Sequence, residues 1–202
     1  MKPALPRLHA ITDERIARRA DLDELVTRLG SIGQPIALHA RGRTLTGREH
    51  YQLAVRLSAR PPARLFVNDR LDVALATRAA GVQLPGAGLQ PTDARRLVPD
   101  CWIGRSVHSL DEARAARDAG ADYLLVGPVY HTTTHPTVTP LGLGTLGDIA
   151  RLGLPVIAIG GVTPERARDA SRAGAYGVAA IRAIWNAPDP RESARALSEA
   201  VG

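Results

Sequence analysis

Eight short apolar runs rich in β-branched residues alternate with amphipathic stretches whose apolar residues recur at helical spacing, and this alternation constrains the chain more than any other feature. The strand candidates are Arg7 to Thr12, Pro35 to Ala40, Arg64 to Asn68, Gly81 to Leu84, Trp102 to Ser106, Tyr123 to Val126, Val156 to Ile159 and Gly177 to Ile181. The helix candidates are Asp21 to Leu29, Gly47 to Ser58, Leu71 to Ala79, Thr92 to Leu97, Leu110 to Ala119, Leu143 to Arg151, Pro164 to Ala173 and Arg191 to Val201. Gly30, Gly81, Gly120, Gly153 and Gly174 each follow a helical pattern and are placed to adopt the left-handed conformation that ends a helix. Thr163-Pro164 supplies an N-cap followed by proline at the first helical position. Ala79-Ala80-Gly81-Val82, Ala119-Gly120-Ala121-Asp122 and Ala173-Gly174-Ala175-Tyr176 repeat one small-residue turn before a strand, as a recurring strand-helix unit would.

Strands without strict alternation are buried on both faces, and short strand-helix connections imply parallel pairing with right-handed crossovers. Eight such units close into a (β/α)₈ TIM barrel, whereas a doubly wound sheet would normally stop at five or six strands. A length of 202 residues is near the low end for that barrel, so residues 1–202 are read as a single domain with lean loops.

Composition narrows the function classes. The chain carries 26 Lys and Arg against 20 Asp and Glu, with Lys2 the only lysine. The arginines are scattered among Ala, Asp and Leu rather than gathered in a stripe with aromatics, so no nucleic-acid partner is expected. What the arginines do suit is a phosphate-bearing ligand, whose oxygens match the planar guanidinium fork. No apolar run reaches the roughly 20 residues needed to cross a bilayer and the N-terminus lacks a secretory pattern, so no membrane association and a cytoplasmic location are expected. The lone Cys101 reads as a small core hydrophobe, and Trp185 as a helix-packing anchor.

In a barrel of this kind the active site lies at the C-terminal ends of the strands. Those ends supply Asp13; His39, Arg41 and Arg43; Asn68 and Asp69; Gln83; Ser106 and His108; Gly127 through His135; Gly160 and Gly161; and Arg182. Gly160-Gly161 runs from a strand into a capped helix, and with the backbone at Ala180 and Ile181 it forms the expected phosphate cradle. His39, His108, His131 and His135 are candidate proton carriers on that rim, while His9 and His50 are read as structural. The loop His131-Thr132-Thr133-Thr134-His135 runs to about Leu141, long enough for a lid or simply a solvated loop. Neither a metal-binding HExxH spacing nor a serine-nucleophile context is present, so neither is expected.

Taken in order, Val67 to Leu75, Ile103 to Ser109, Gly127-Pro128-Val129, Val156 to Gly161 and Gly177 to Ile181 resemble the thiamine phosphate synthase/TenI family along nearly the whole chain. Leu8 to Asp13, Val82 to Pro85 and Gly104 to Ser109 look closer to the TenI branch, which implies a thiazole tautomerase. The synthase branch joins a pyrimidine pyrophosphate to a thiazole phosphate with help from magnesium carboxylates and a basic cluster. Here the expected Gln-x-Arg-x-Lys reads His39-Ala40-Arg41-Gly42-Arg43. Asn68 and Asp69 match, but Leu84 to Gly88 lacks the second carboxylate and the lysine after Thr-x-Thr reads His135. The tautomerase pattern is also incomplete, because Pro128 and Gly42 stand where its histidine and glutamate are expected, leaving His131 or His108 as substitutes.

The resemblance thus implies an isomerase with His131 and His108 catalytic and no cofactor. Its ligand is a small phosphorylated thiazole contacted by His39, Arg41, Arg43, Asn68, Asp69, Gln83, Ser106, Thr132, Thr134 and His135. The alternatives are a synthase, in which case Mg²⁺ takes part, and a non-catalytic binding protein that keeps the phosphate cradle. A homodimer would suit the family.

Overall fold

The computed structural model describes residues 2–58, 63–132 and 137–202. Eight parallel strands, β1 (Leu8–Ile11), β2 (Ile36–Ala40), β3 (Arg64–Asn68), β4 (Gly81–Leu84), β5 (Trp102–Val107), β6 (Tyr123–Val126), β7 (Val156–Ile159) and β8 (Gly177–Ala180), close in chain order into a barrel. The register runs without interruption from Leu8 opposite Ile36 round to Leu8 opposite Val178. Helices α2 (Leu22–Gly30), α3 (Gly47–Ser58), α4 (Leu71–Thr77), α5 (Pro91–Leu97), α6 (Leu110–Asp118), α7 (Gly142–Ala150), α8 (Pro164–Arg172) and α10 (Pro190–Ala200) follow the strands in turn. These sixteen elements are the alternation seen in the sequence, displaced by no more than two residues at any end.

Two single-turn helices, α1 (Glu14–Ala17) and α9 (Arg182–Trp185), are additions that hydrophobic periodicity does not reveal, because four residues cannot show a 3.6-residue period. Asp13 starts α1 by accepting the Ile16 N–H at 2.9 Å. Trp185 ends α9 fully buried, as a packing anchor should be. None of the described helices is long and apolar enough to cross a membrane.

The repeated turn is real, but its register differs from the sequence reading. Ala79, Ala121 and Ala175 donate to the carbonyls of Ala74, Ala116 and Ala170, each five residues back, so the three turns superpose at these alanines. The left-handed residue just before them is Gly120 in one turn and Gly174 in another, as expected, but Arg78 (φ 51°) in the first. Gly81 instead opens β4, and Gly30 ends α2 without a left-handed φ; Gly153 (φ 88°) behaves as expected.

Parity along each strand separates two cores. Leu38, Val67, Val82, Ile103, Val126 and Ala158 point outward to the helices, while Ile11, Ala37, Phe66, Tyr123, Leu125, Ile157 and Ala179 fill the barrel. The interior is tightly matched: a Cβ on Gly81 would lie 2.2 Å from the Phe66 ring, and one on Gly104 would lie 2.1 Å from Tyr123. His9 and His39, both fully buried, share this interior, with the His39 ring stacked on Phe66 at 5.1 Å. Residues 3–6 cover the N-terminal end, where the Trp102 indole N–H donates to Pro3 O (2.9 Å) and the Tyr176 hydroxyl to Leu5 O (2.7 Å).

Gly104→Ala forces a methyl into the Tyr123 ring and is expected to cost about 1 to 3 kcal/mol in urea unfolding, with part of the loss recovered when Tyr123 is shortened to Leu. Burial holds His39 at a pKa of about 4 against an ordinary 6.5, so the unfolded chain takes up a proton that the folded chain refuses. This contribution to stability is therefore present above about pH 6.5 and falls on acidification, by roughly 1 to 2 kcal/mol from His39 alone between pH 6.5 and about pH 5. A pH series of urea titrations checks this, and His39→Gln is expected to flatten the slope.

Candidate active site

The C-terminal mouth of the barrel holds two joined cavities. The first, about 420 Å³, lies over β6 to β8 and is lined by Gly127, Pro128, His131, Gly160, Gly161, Ala180, Ile181 and Arg182 among others. The second, about 330 Å³, lies over β2 to β5 and is lined by Arg41, Arg43, Asp69, Arg70, Gln83 and Gly86. Arg41, Asn68, Ser106 and His108 belong to both and form the seam between them.

In the first cavity, Gly160 and Gly161 have φ of 98° and 65°, a backbone that favours glycine. Space demands glycine as well. A Cβ on Gly160 would lie 2.6 Å from Pro128 Cβ, and one on Gly161 would lie 2.2 Å from the His131 carbonyl oxygen. The turn after β7 is therefore keyed against the loop after β6, with the Tyr130 N–H donating to Gly160 O at 3.2 Å. Opposite stands the turn from β8 into α9, whose first N–H groups have no acceptor within the helix. This pair of turns, with a short extra helix after β8, is the usual barrel site for a phosphate.

In the second cavity the chemistry is cationic. Arg41 is held by its backbone, its N–H donating to Thr12 Oγ1 at 2.9 Å. Burial lowers the Arg41 pKa, with the Arg43 charge adding to the effect, yet a guanidinium stays protonated at neutral pH. The Arg43 and Thr44 N–H groups donate to Glu14 of α1, which pins this loop over the mouth. Arg70 is engaged by Asp72 through two bonds, so Arg41 and Arg43 carry the charge directed at a ligand. Asp69 has a left-handed backbone (φ 65°), and partial burial raises its carboxyl pKa, with Arg41 foremost among the charges opposing that. Asp69 is the one carboxylate lining this cavity, and no three His, Cys, Asp or Glu side chains converge as a ligand set among the described residues.

The seam contains the histidine of clearest geometry. His108 Nδ1 faces the Gly127 carbonyl and therefore carries the proton, leaving Nε2 as an acceptor, and the His108 backbone N–H donates to Glu112 at 2.7 Å. Beside it Ser106 Oγ accepts from the Gln83 amide at 3.0 Å. His131 lies exposed on the rim of the first cavity and Thr132 beside it. Thr134 and His135 lie outside the described residues.

His39 differs from its sequence placement at the rim. It faces into the barrel one layer below Arg41 and lines neither cavity, because residues 37, 39 and 41 alternate inward along β2 and only the last clears the strand end. Its ring bonds Asn68 (3.0 Å) and His9 (2.8 Å) instead. His50 is structural, as expected, with Nε2 donating to Ala40 O at 2.8 Å. Arg105, unassigned in the sequence, points outward and donates to Leu89 O (2.7 Å) and Gly86 O (2.9 Å), bracing the loop after β4. Cys101 is half-buried, with its thiol pKa raised by burial and its Sγ donating to Ala79 O at 3.2 Å.

Comparison with known proteins identifies the family. A model described as thiamine monophosphate synthase matches residues 8–184. The chain is 37% identical to thiamine-phosphate synthase of Chlorobium phaeobacteroides, covering 98% of both chains, and 37% identical to that of Chloroflexus aurantiacus, covering 95% of this chain and 90% of the other. The solved structure of thiamine phosphate pyrophosphorylase from Pyrococcus furiosus superposes with a TM-score of 0.78 at 33% identity, covering 96% of this chain and 95% of that one. These relatives overturn the isomerase expectation, since they carry the name of the synthase. The physical reason for the misreading is local: losing two lysines, at Arg43 and His135, and one carboxylate looked like losing the leaving-group site, whereas Arg41 and Arg43 still form a cationic cavity.

The close fit between the two loops has a checkable consequence. Gly161→Ala is expected to displace the loop after β6, seen as shifts in the amide NMR signals of Tyr130, His131 and Thr132 with the rest of the barrel unchanged. Signals of those three residues that stay in place would contradict the contact.

Proposed function

Because the chain belongs to the thiamine monophosphate synthase family, we propose that it is a transferase that joins a pyrimidine pyrophosphate to a thiazole phosphate and releases pyrophosphate. The observation that carries this reading is the two-lobed mouth. One cavity has a glycine cradle suited to a phosphate monoester, the other has paired arginines suited to a pyrophosphate, and four shared residues lie where two substrates would meet.

In this reaction a bond forms from the thiazole to the carbon that bore the pyrophosphate, and the bond from that carbon to the pyrophosphate oxygen breaks with its electron pair. Negative charge grows on the departing group. Arg41 and Arg43 stabilise that charge, and they do so from fixed positions because Thr12 and Glu14 hold their backbone. The thiazole phosphate sits on the Gly160-Gly161 and Ala180-Ile181 turns, which fixes its ring over the seam. His108 and His131 border the substrates without having to move a proton, and Ser106 and Gln83 shape the floor.

Magnesium commonly binds through one or two carboxylates together with substrate phosphates. Asp69 meets the lower limit of that requirement, so it would be the residue to hold a Mg²⁺ beside the pyrophosphate. Bound there, the ion would add to the neutralisation of the leaving group.

The test is condensation by the purified protein supplied with both substrates and Mg²⁺, read as thiamine phosphate and pyrophosphate in equal amounts. Binding of both substrates with no condensation would sink the reading. Arg43 lines the second cavity alone, so Arg43→Ala is expected to lower kcat/KM for the pyrimidine pyrophosphate about 100-fold while KM for the thiazole phosphate moves by less than about threefold.

A further inference from the structure

A line of polar groups runs up the barrel interior from its closed end to the site. His9 Nε2 lies 3.0 Å from Pro6 O, His9 Nδ1 lies 2.8 Å from His39 Nε2, and His39 Nδ1 lies 3.0 Å from the Asn68 side-chain amide. The Pro6 carbonyl can only accept, so His9 donates there through Nε2–H. A neutral His9 then accepts at Nδ1, and His39 must be the donor between the rings through its own Nε2–H. A neutral His39 is left with a bare lone pair at Nδ1.

With Asn68 Oδ1 turned toward that nitrogen, three gaps would need three protons while two neutral imidazoles supply two. Either a buried imidazolium provides the third, or the amide provides it from Nδ2–H. Oxygen and nitrogen of an amide are interchangeable in shape and are assigned by such networks. The surroundings favour the amide. Phe66 and the Tyr123 ring pack on the histidines, both histidine pKa values are driven down by burial, and the Arg41 charge lowers that of His39 further.

We propose that His9 and His39 are positioning residues that hold Asn68 with its amide nitrogen toward His39 and its carbonyl oxygen toward the cavity, as an acceptor for an N–H or O–H donor on the bound substrate. Asn68 lines both cavities at the seam, so the oxygen faces the place where two substrates meet. That a substrate donor binds there rests on the synthase reading. The orientation of the amide rests only on the proton count.

The experiment uses the full-length, ligand-free protein labelled with ¹⁵N-histidine, so its outcome is independent of any synthase activity. Long-range ¹H–¹⁵N correlation near pH 7.5 is expected to find His9 and His39 both as the neutral Nε2–H tautomer. A proton on His39 Nδ1, as the other tautomer or as imidazolium, would overturn the proposal. Asn68→Asp gives a second arm, because a carboxylate has no N–H to offer. If Asn68 donates, the variant must place a proton on His39 Nδ1 and the His39 signals change type. If Asn68 accepts through Oδ1, the carboxylate replaces it in kind, the signals keep their type, and the proposal fails.

Discussion

Everything in this structure depends on filling the inside of a barrel made from strands of four to six residues. Each strand offers only two or three inward side chains, so the lumen has few pieces with which to reach close packing. Phe66 and Tyr123 provide the bulk, and Gly81 and Gly104 give them room. The remaining space holds His9 and His39, polar groups that are tolerable there because each finds a hydrogen-bond partner above and below. The lower floor of the active site is thus built from the same contacts that close the fold.

From that floor the site divides into two lobes that differ in how their walls would meet an anion. Over β6 to β8 the walls are glycine turns that bring backbone close to a ligand, and over β2 to β5 they are arginines fixed by Thr12 and Glu14. The chain belongs to the thiamine monophosphate synthase family, and the second lobe carries the cations that the proposed reaction needs. Arginine in place of the expected lysine keeps the charge while adding a planar fork, which would suit the pyrophosphate of that reaction.

Much of this was legible from the chain. All eight strands and the eight longer helices stand where β-branched runs and helical periodicity put them, and the rim residues Arg41, Asn68, Ser106, His108, Gly160 and Gly161 do converge. Other features were not legible. α1 and α9 are too short for periodicity to register, and the left-handed turn before β4 falls on Arg78, a residue type that carries no turn signal. The choice between isomerase and synthase failed for a different reason: it was made by matching single positions, whereas the capacity to bind a leaving group belongs to the whole cavity.

Local periodicity, with the glycines and caps that punctuate it, is enough to set the order of elements, the parallel closure and the strand ends that carry the site. Which strand-end residues face the cavities is settled in the closed barrel alone. Period-2 alternation sends every second side chain inward, but whether an inward residue reaches the mouth or stays in the packed layer beneath depends on the strand's height within the barrel. His39 and Arg41 show the difference: two residues apart at the end of β2, one is buried against His9 and the other opens onto both cavities. That height is set by the stagger between neighbouring strands, a property of the closed sheet that no segment of the chain holds alone.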